Sequence, residues 1–271
     1  MSDVDGARAL DDHQLAAQVA TAAGELLVRL RDGLVDQGAP RWAIEESGDQ
    51  QAHDLIVSLL TQAVPDDSVL SEEGVDHASR HRAERAWIVD PLDGTREYGE
   101  HPRHDWAVHV ALVEHHEPVA GAVALPALGV TYSTGPAPVL PPRPDDAAPR
   151  LVVSRSRPAA ICYRIAEELD GELLPLGSAG AKAMAVVRGE ADIYAHAGGQ
   201  YEWDSCAPVA VAAAAGLHVS RIDGSPLRYN RPDPWLPDLL ICRQEYADAI
   251  TALVRGQIGT RIADEEADLW R

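Results

Sequence analysis

The chain has 271 residues, 46% hydrophobic and 24% charged, enough for one large domain or two modest ones. Its 43 acidic against 23 basic residues give a formal charge of -20, which excludes a protein that coats a phosphodiester backbone, a task needing a basic surface. Cys162, Cys206 and Cys242 are odd in number and widely spaced, which argues against a disulfide framework or a zinc site and for reduced, buried thiols.

The first residues carry no basic segment ahead of an apolar core, and no apolar run reaches membrane-spanning length, so a soluble, cytoplasmic protein is expected. From Asp11 to Leu30, apolar residues recur at helical spacing (Leu15, Val19, Ala22, Leu26, Leu30), predicting an amphipathic helix. A second helix is predicted from Asp49 to Ala63, with Leu55, Ile56, Leu59 and Leu60 inward. A short strand at Ser68–Leu70 leads into Ser71-Glu72-Glu73-Gly74. A buried strand from Trp87 is expected to stop at Pro91. Residues 106–113 and 119–124, separated by a turn at Glu117-Pro118, predict an antiparallel pair.

Between Gly135 and Pro149 the chain holds six prolines, the best boundary candidate. Beyond it, strands near 151–154, 173–175, 192–195 and 238–242 alternate with helices near 158–169, 179–188, 203–215 and 246–254. The pattern predicts an α+β first unit, residues 1–148, and an α/β second unit, residues 149–271, that completes the site. The acidic tail Asp264 to Asp268 is expected to be exposed.

Chemistry concentrates at Trp87-Ile88-Val89-Asp90-Pro91-Leu92-Asp93-Gly94-Thr95. Two carboxylates at a strand end can converge on a hard cation, and Gly94-Thr95 open a segment whose free N–H groups can hold an anion. Asp49, Glu72-Glu73 and Asp204 lie at other junctions of element and loop. Taken singly, Asp49 and Asp204 read as helix N-caps. Two or more divalent ions held by such acids would polarise a phosphoryl oxygen, acidify a water and neutralise a leaving oxygen.

Val69-Leu70-Ser71-Glu72-Glu73, Trp87 through Thr95, and Glu202-Trp203-Asp204 resemble, in order and spacing, the inositol-monophosphatase superfamily of metal-dependent, lithium-sensitive phosphatases. The resemblance implies a layered αβαβα sandwich, a homodimer, and two or three Mg²⁺ held by Glu72, Asp90, the Leu92 carbonyl, Asp93 and Asp204, with Asp90 bridging. It implies Glu73 behind them, Thr95 paired with Asp49 to activate water, and Gly94 and Thr95 N–H groups on the phosphate. The segment Glu46-Ser47-Gly48-Asp49 departs from the family's usual Thr/Ser-x-x-Asp.

Arg96-Glu97-Tyr98, Lys182 and Glu202 resemble the CysQ-type bisphosphate nucleotidases, in particular their actinobacterial branch. That implies removal of the 3'-phosphate of adenosine 3',5'-bisphosphate, extending to its sulfated precursor, in support of sulfate assimilation. Such a substrate has a second phosphate, for which the Ser178-Ala179-Gly180 helix start, Lys182 (the only lysine beside 22 arginines) and Arg96 are candidates, with Glu202 nearby. The competing readings are an inositol monophosphatase or fructose-1,6-bisphosphatase, and a non-catalytic metal- or nucleotide-binding regulator. His101, His104, His109, His115 and His116 read as surface or packing residues, and Tyr201 as either a base-stacking or a rim tyrosine.

Overall fold

The computed structural model describes residues 10–269 except His77, Asp145 and Asp146, with side-chain surroundings given as far as residue 256 and not for Ala78. Helix α1 (Asp12–Asp36) starts at a capping box in which Asp11 accepts the Gln14 N–H, and it runs past the expected end at Leu30. Helix α2 covers Arg41–Ala63, so Asp49 lies inside a helix and is not an N-cap. Its first two turns bury only Ile44 and Gly48, which hides their helical period from the sequence.

The first sheet has the order β1 (Ser68–Ser71), β2 (Arg85–Asp93), β3 (Ala107–Glu114), β4 (Glu117–Leu125), β5 (Val130–Ser133), with β1 parallel to β2 and the rest antiparallel. Pro91 does not end β2. The register against β3 slips instead, Asp90 facing His109 and Asp93 facing Ala107, so that the strand bulges and continues. The β3–β4 turn falls on His115-His116, both left-handed (φ 52° and 68°), ahead of Glu117-Pro118. A five-residue helix, α3 (Thr95–Gly99), follows β2.

The second sheet runs β7 (Glu172–Leu176), β6 (Arg150–Ser154), β8 (Ile193–Tyr201), β10 (Trp235–Cys242), β9 (His218–Ser220). Its helices are α4 (Ala160–Leu169), α5 (Ala179–Val187), α6 (Glu202–Ala214) and α7 (Gln244–Leu269). The acidic tail continues α7 as helix, and its side chains lie outside those described.

Alternation along the strands sorts residues into layers. Trp87, Val89, Val110 and Leu112 pack under α1 and α2 with Leu27, Ile56 and Leu60. Ile88, Ala111 and Val123 face the other way, onto Met184 and Val186 of α5 and Val211 of α6, which also cover Val152, Tyr194 and Ile241 of the second sheet. Leu151, Ile193 and Leu240 close the far side with α4 and α7 through Cys162, Ile165 and Ile250. The result is the five-layer αβαβα sandwich. Helix α5 is buried on every side from Gly180 to Val187, as a central-layer helix must be. Residue 148 separates two sheets that share this central layer, not two independent cores. Cys162, Cys206 and Cys242 are free and buried.

Candidate active site

The β2 bulge aims two aspartates at the central layer. Asp90 is buried and accepts the Leu92 N–H in a tight local turn (3.1 Å). Asp93, also buried, accepts the N–H groups of Ala179 (3.0 Å) and Gly180 (2.5 Å) at the start of α5. Asp204, in the first turn of α6, accepts the Tyr201 N–H (2.6 Å). Each of the three carboxylates offers an oxygen within 4.8 Å of the others.

So many like charges raise the affinity for protons. Burial, then Glu72, Asp93 and Asp204, push the Asp90 carboxyl well above its ordinary range. Burial and the Asp93 charge lift Asp204 to about 6. Asp93 goes the other way. Burial alone would raise it, but His109, Lys182 and the Gly180 N–H outweigh burial and draw it down to about 2.

His109 is the residue that sequence reasoning missed. It is fully buried on β3, with Nε2 3.1 Å from Asp93 Oδ2 and Nδ1 3.0 Å from the Trp203 carbonyl oxygen. Both ring nitrogens face oxygen atoms. Burial opposes a charge on the ring, yet Asp93 and the Trp203 carbonyl override it and the His109 pKa is raised. The available signal was a histidine alternating with valines on a buried strand.

Thr95 Oγ1 donates to Asp49 Oδ1 (3.0 Å) and also lies 3.2 Å from the Leu92 carbonyl oxygen. This brings together the pair expected from the sequence, from the interior of α2 and the start of α3. The Gly94 backbone is left-handed (φ 88°), a conformation that suits glycine and lets the chain turn directly from β2 into α3. Burial lifts the Asp49 carboxyl to about 7, Glu73 and Glu45 adding to the rise against the Thr95 hydrogen bond. Glu72 and Glu73 sit on the exposed loop after β1. Although the residue as a whole is exposed, partial desolvation of the Glu72 carboxyl and then the charges of Asp204, Glu73 and Asp93 raise it to about 7, against a hydrogen bond with Asp90.

Other candidates are placed differently. Arg96 is exposed and pairs with Glu100 (3.3 Å). Glu97 turns inward to Arg155 (2.5 Å), and Tyr98 is buried, donating to the Leu27 carbonyl oxygen (2.9 Å) and packing edge-on against Trp106. Glu97 and Tyr98 are thus held within the fold. Glu202 is wholly buried, both oxygens taken by the N–H groups of Asn230 (2.7 Å) and Arg231 (2.9 Å), which corrects its expected place beside a substrate. Ser178 caps α5 through the Ala181 N–H (2.9 Å). Lys182 is buried, donates to the Gly177 (2.7 Å) and Ser178 carbonyl oxygens, and lies over the Tyr194 ring. Burial lowers its pKa, with Asp93, Glu97 and Asp204 acting against that fall.

Asp93, Asp204, Lys182, Tyr201 and Trp235 share the lining of a 340 Å³ cavity. An all-oxygen donor set in which crowded negative charge raises the pKa of Asp90 and Asp204 fits a hard divalent cation. Among the described residues no helix is long and apolar enough to cross a membrane.

A 3'-phosphoadenosine 5'-phosphate phosphatase from Mycobacterium leprae is 47% identical over 91% of this chain and 94% of its own length. The 3'(2'),5'-bisphosphate nucleotidase CysQ of Escherichia coli is 32% identical over 81% of this chain and 94% of its own. The crystal structure of CysQ from Bacteroides thetaiotaomicron superposes with a TM-score of 0.70 at 28% identity, covering 86% of this chain and 97% of that one. Residues 13–136 and 149–258 match the inositol monophosphatase family, whose members are metal-dependent, and the chain belongs to that family.

Proposed function

We propose that the protein is a Mg²⁺-dependent phosphomonoesterase that removes the 3'-phosphate of adenosine 3',5'-bisphosphate to give AMP, with activity extending to the sulfated precursor. One observation carries the reading: Asp90, Asp93 and Asp204 converge within 4.8 Å beside a hydrogen-bonded Thr95–Asp49 pair. The names of the mycobacterial and enterobacterial relatives support the choice of substrate.

Asp90, Asp93, Asp204, Glu72 and the Leu92 carbonyl would hold the cations, with Glu73 behind. When bound, these neutralise charge on the phosphoryl oxygens and acidify water. The chain's own residues supply positioning and proton transfer. The Thr95 hydroxyl donates to Asp49, leaving its lone pairs to accept from an attacking water. A carboxyl lifted to about 7 is basic enough to draw a proton through that hydroxyl near neutral pH. The N–H groups of Gly94 and Thr95 would orient the phosphate. His109 keeps Asp93 ionised and, with the α5 backbone, fixes its direction. Lys182 would add a cation beside the second phosphate.

The test is phosphate release with Mg²⁺ from adenosine 3',5'-bisphosphate, inositol 1-phosphate and fructose 1,6-bisphosphate. The expected order of kcat/KM places the nucleotide first by at least about tenfold, and a higher value for either sugar or polyol ester would overturn the reading.

A further inference from the structure

We infer that Arg80, Asn230 and Glu202 form a buried polar bridge that holds the Glu72-Glu73 loop against the start of α6, and so sets the cation affinity of the site. The inference rests on the proposal above that Glu72 and Asp204 hold cations. The three residues act through others and are positioning residues.

The first observation concerns the loop. Residues 72–84 join β1 to β2, and Glu72 and Glu73 stand exposed at its start. Arg80 alone is buried among the described residues of this segment, at 1% exposed. It sits in a short 3₁₀ helix (Ala78–Arg82), and its Nε and Nη2 donate to the two carboxylate oxygens of Asp76 (2.6 and 2.9 Å). That bidentate fork ties Arg80 to the stretch just beyond Glu72-Glu73. The near end of the loop is held separately: buried Ser71 has its hydroxyl 2.8 Å from His53 Nδ1 of α2.

The second observation is where Arg80 reaches. Its Nη1 donates to Asn230 Oδ1 (2.8 Å), and Asn230 Nδ2 donates back to the Arg80 carbonyl oxygen (3.1 Å), a reciprocal pair 150 residues apart in sequence. Asn230 is buried and left-handed (φ 55°), a backbone that asparagine tolerates. Its own N–H and that of Arg231 satisfy the two Glu202 oxygens, and Glu202 opens α6 in the same turn as Asp204. The ground under Asn230 is fixed without help from the loop. The preceding Tyr229 N–H donates to the His116 carbonyl oxygen (3.1 Å), and His116 Nδ1 lies 2.8 Å from the Tyr229 carbonyl oxygen.

A continuous chain of directional bonds thus runs from the Glu72 loop to the first turn of α6. A satisfied buried network of this kind holds two segments in one arrangement. The arrangement needs holding, because Asp204 is the foremost of the charges that act on Glu72. Without a cation, the two acids repel, and a loop tied only at Ser71 would swing outward to relieve the repulsion. The bridge keeps both acids facing the same place before the ion arrives.

The test removes the bridge and spares the backbone. Asn230→Gly keeps the left-handed turn and the N–H on Glu202 and deletes only the two side-chain bonds to Arg80. Without substrate, its Mg²⁺ Kd by calorimetry is expected to rise about tenfold, and amide exchange over residues 72–76 to quicken in Mg²⁺-free buffer, while kcat at saturating Mg²⁺ stays within about threefold. Arg80→Met should behave alike, and the double variant should lose little more than either single one, as two ends of one bridge do. Asn230→Asp, which keeps an acceptor for Arg80, should recover most of the affinity. Variants that match the wild type in Mg²⁺ affinity and loop exchange overturn the inference and leave the cation proposal standing. A lowered Tm with unchanged Mg²⁺ affinity overturns it too, since the bridge would then only support the fold. A wild-type protein that binds no Mg²⁺ overturns the cation proposal and the inference with it.

Discussion

Asp90 and Asp192 are equally buried aspartates in opposite electrostatic surroundings. Asp192, at the entry to β8, accepts the Arg150 backbone N–H (2.9 Å) and is ringed by the guanidinium groups of Arg243 (3.2 Å), Arg143 (3.2 Å) and Arg150 (3.4 Å). Asp90 has Glu72, Asp93 and Asp204 as neighbours, and its polar support is the Leu92 N–H and a hydrogen bond with Glu72. The first carboxylate has its counter-charge in the chain. The second has acids as its nearest charges and belongs to a set that His109 and Lys182 neutralise only at Asp93 and Asp204, the environment expected of the proposed cation site.

The largest expected effect breaks the pair apart. Asp90→Asn should cut turnover roughly 10³-fold and, by removing like-charge repulsion, raise the Tm of the cation-free protein. Asp192→Asn should do the reverse, costing about 3 kcal/mol of stability because buried arginines lose their partner, with kcat per folded molecule within about twofold. Denaturation and steady-state kinetics on both variants would decide it. Equal losses of activity would erase the distinction.

Next comes pH. Asp49 and Glu72 at about 7 and Asp204 at about 6 all lie above their values in an unfolded chain, near 4. The folded, cation-free protein therefore binds more protons than the unfolded one, and these groups stabilise it at low pH. That contribution disappears as pH rises through 6 and 7. Scanning calorimetry without Mg²⁺ should show Tm falling over this range, and Mg²⁺ should raise Tm more at pH 8 than at pH 5.5. A Mg²⁺ shift independent of pH would count against the cluster as the cation site.

At the catalytic pair, Thr95→Val should lower kcat about 10²-fold and Thr95→Ser should restore most of it, because the hydroxyl is the operative group. Asp49→Asn should cause a similar loss, and the double variant should lose little more than either single one, since the two act as one unit. Additive losses would mean that they act separately. The smallest effect belongs to Arg96→Ala, expected to change nucleotide KM by less than about twofold and stability by about 0.5 kcal/mol or less, as for other exposed pairs.

Most strands and helices and the acidic pair Asp90/Asp93 were legible from apolar periodicity and an abrupt acidic strand end, whereas the five-layer arrangement and the convergence of Asp204 on that pair came from the family resemblance. The start of α2 was not legible, as two buried residues in two turns make no period. Passage of β2 through Pro91 depends on a slip against β3, a tertiary fact. Arg96 and Glu202 were read as substrate contacts because charge near a motif looks the same whether it faces a cleft or a neighbouring loop. The role of His109 escaped notice for the same reason, since it gains meaning only from the Asp93 that the fold sets opposite it.

Asp93 ends a strand of the first sheet, yet its carboxylate is gripped by the backbone of Ala179 and Gly180 and stands within reach of Asp204. On the ribosome, Asp90 and Asp93 are made more than eighty residues before α5, so the acidic corner exists as sequence long before it exists as a site. A chain ending before α5 would hold half of the proposed chelator, so cation loading would wait until α6 brings Asp204 to the pair.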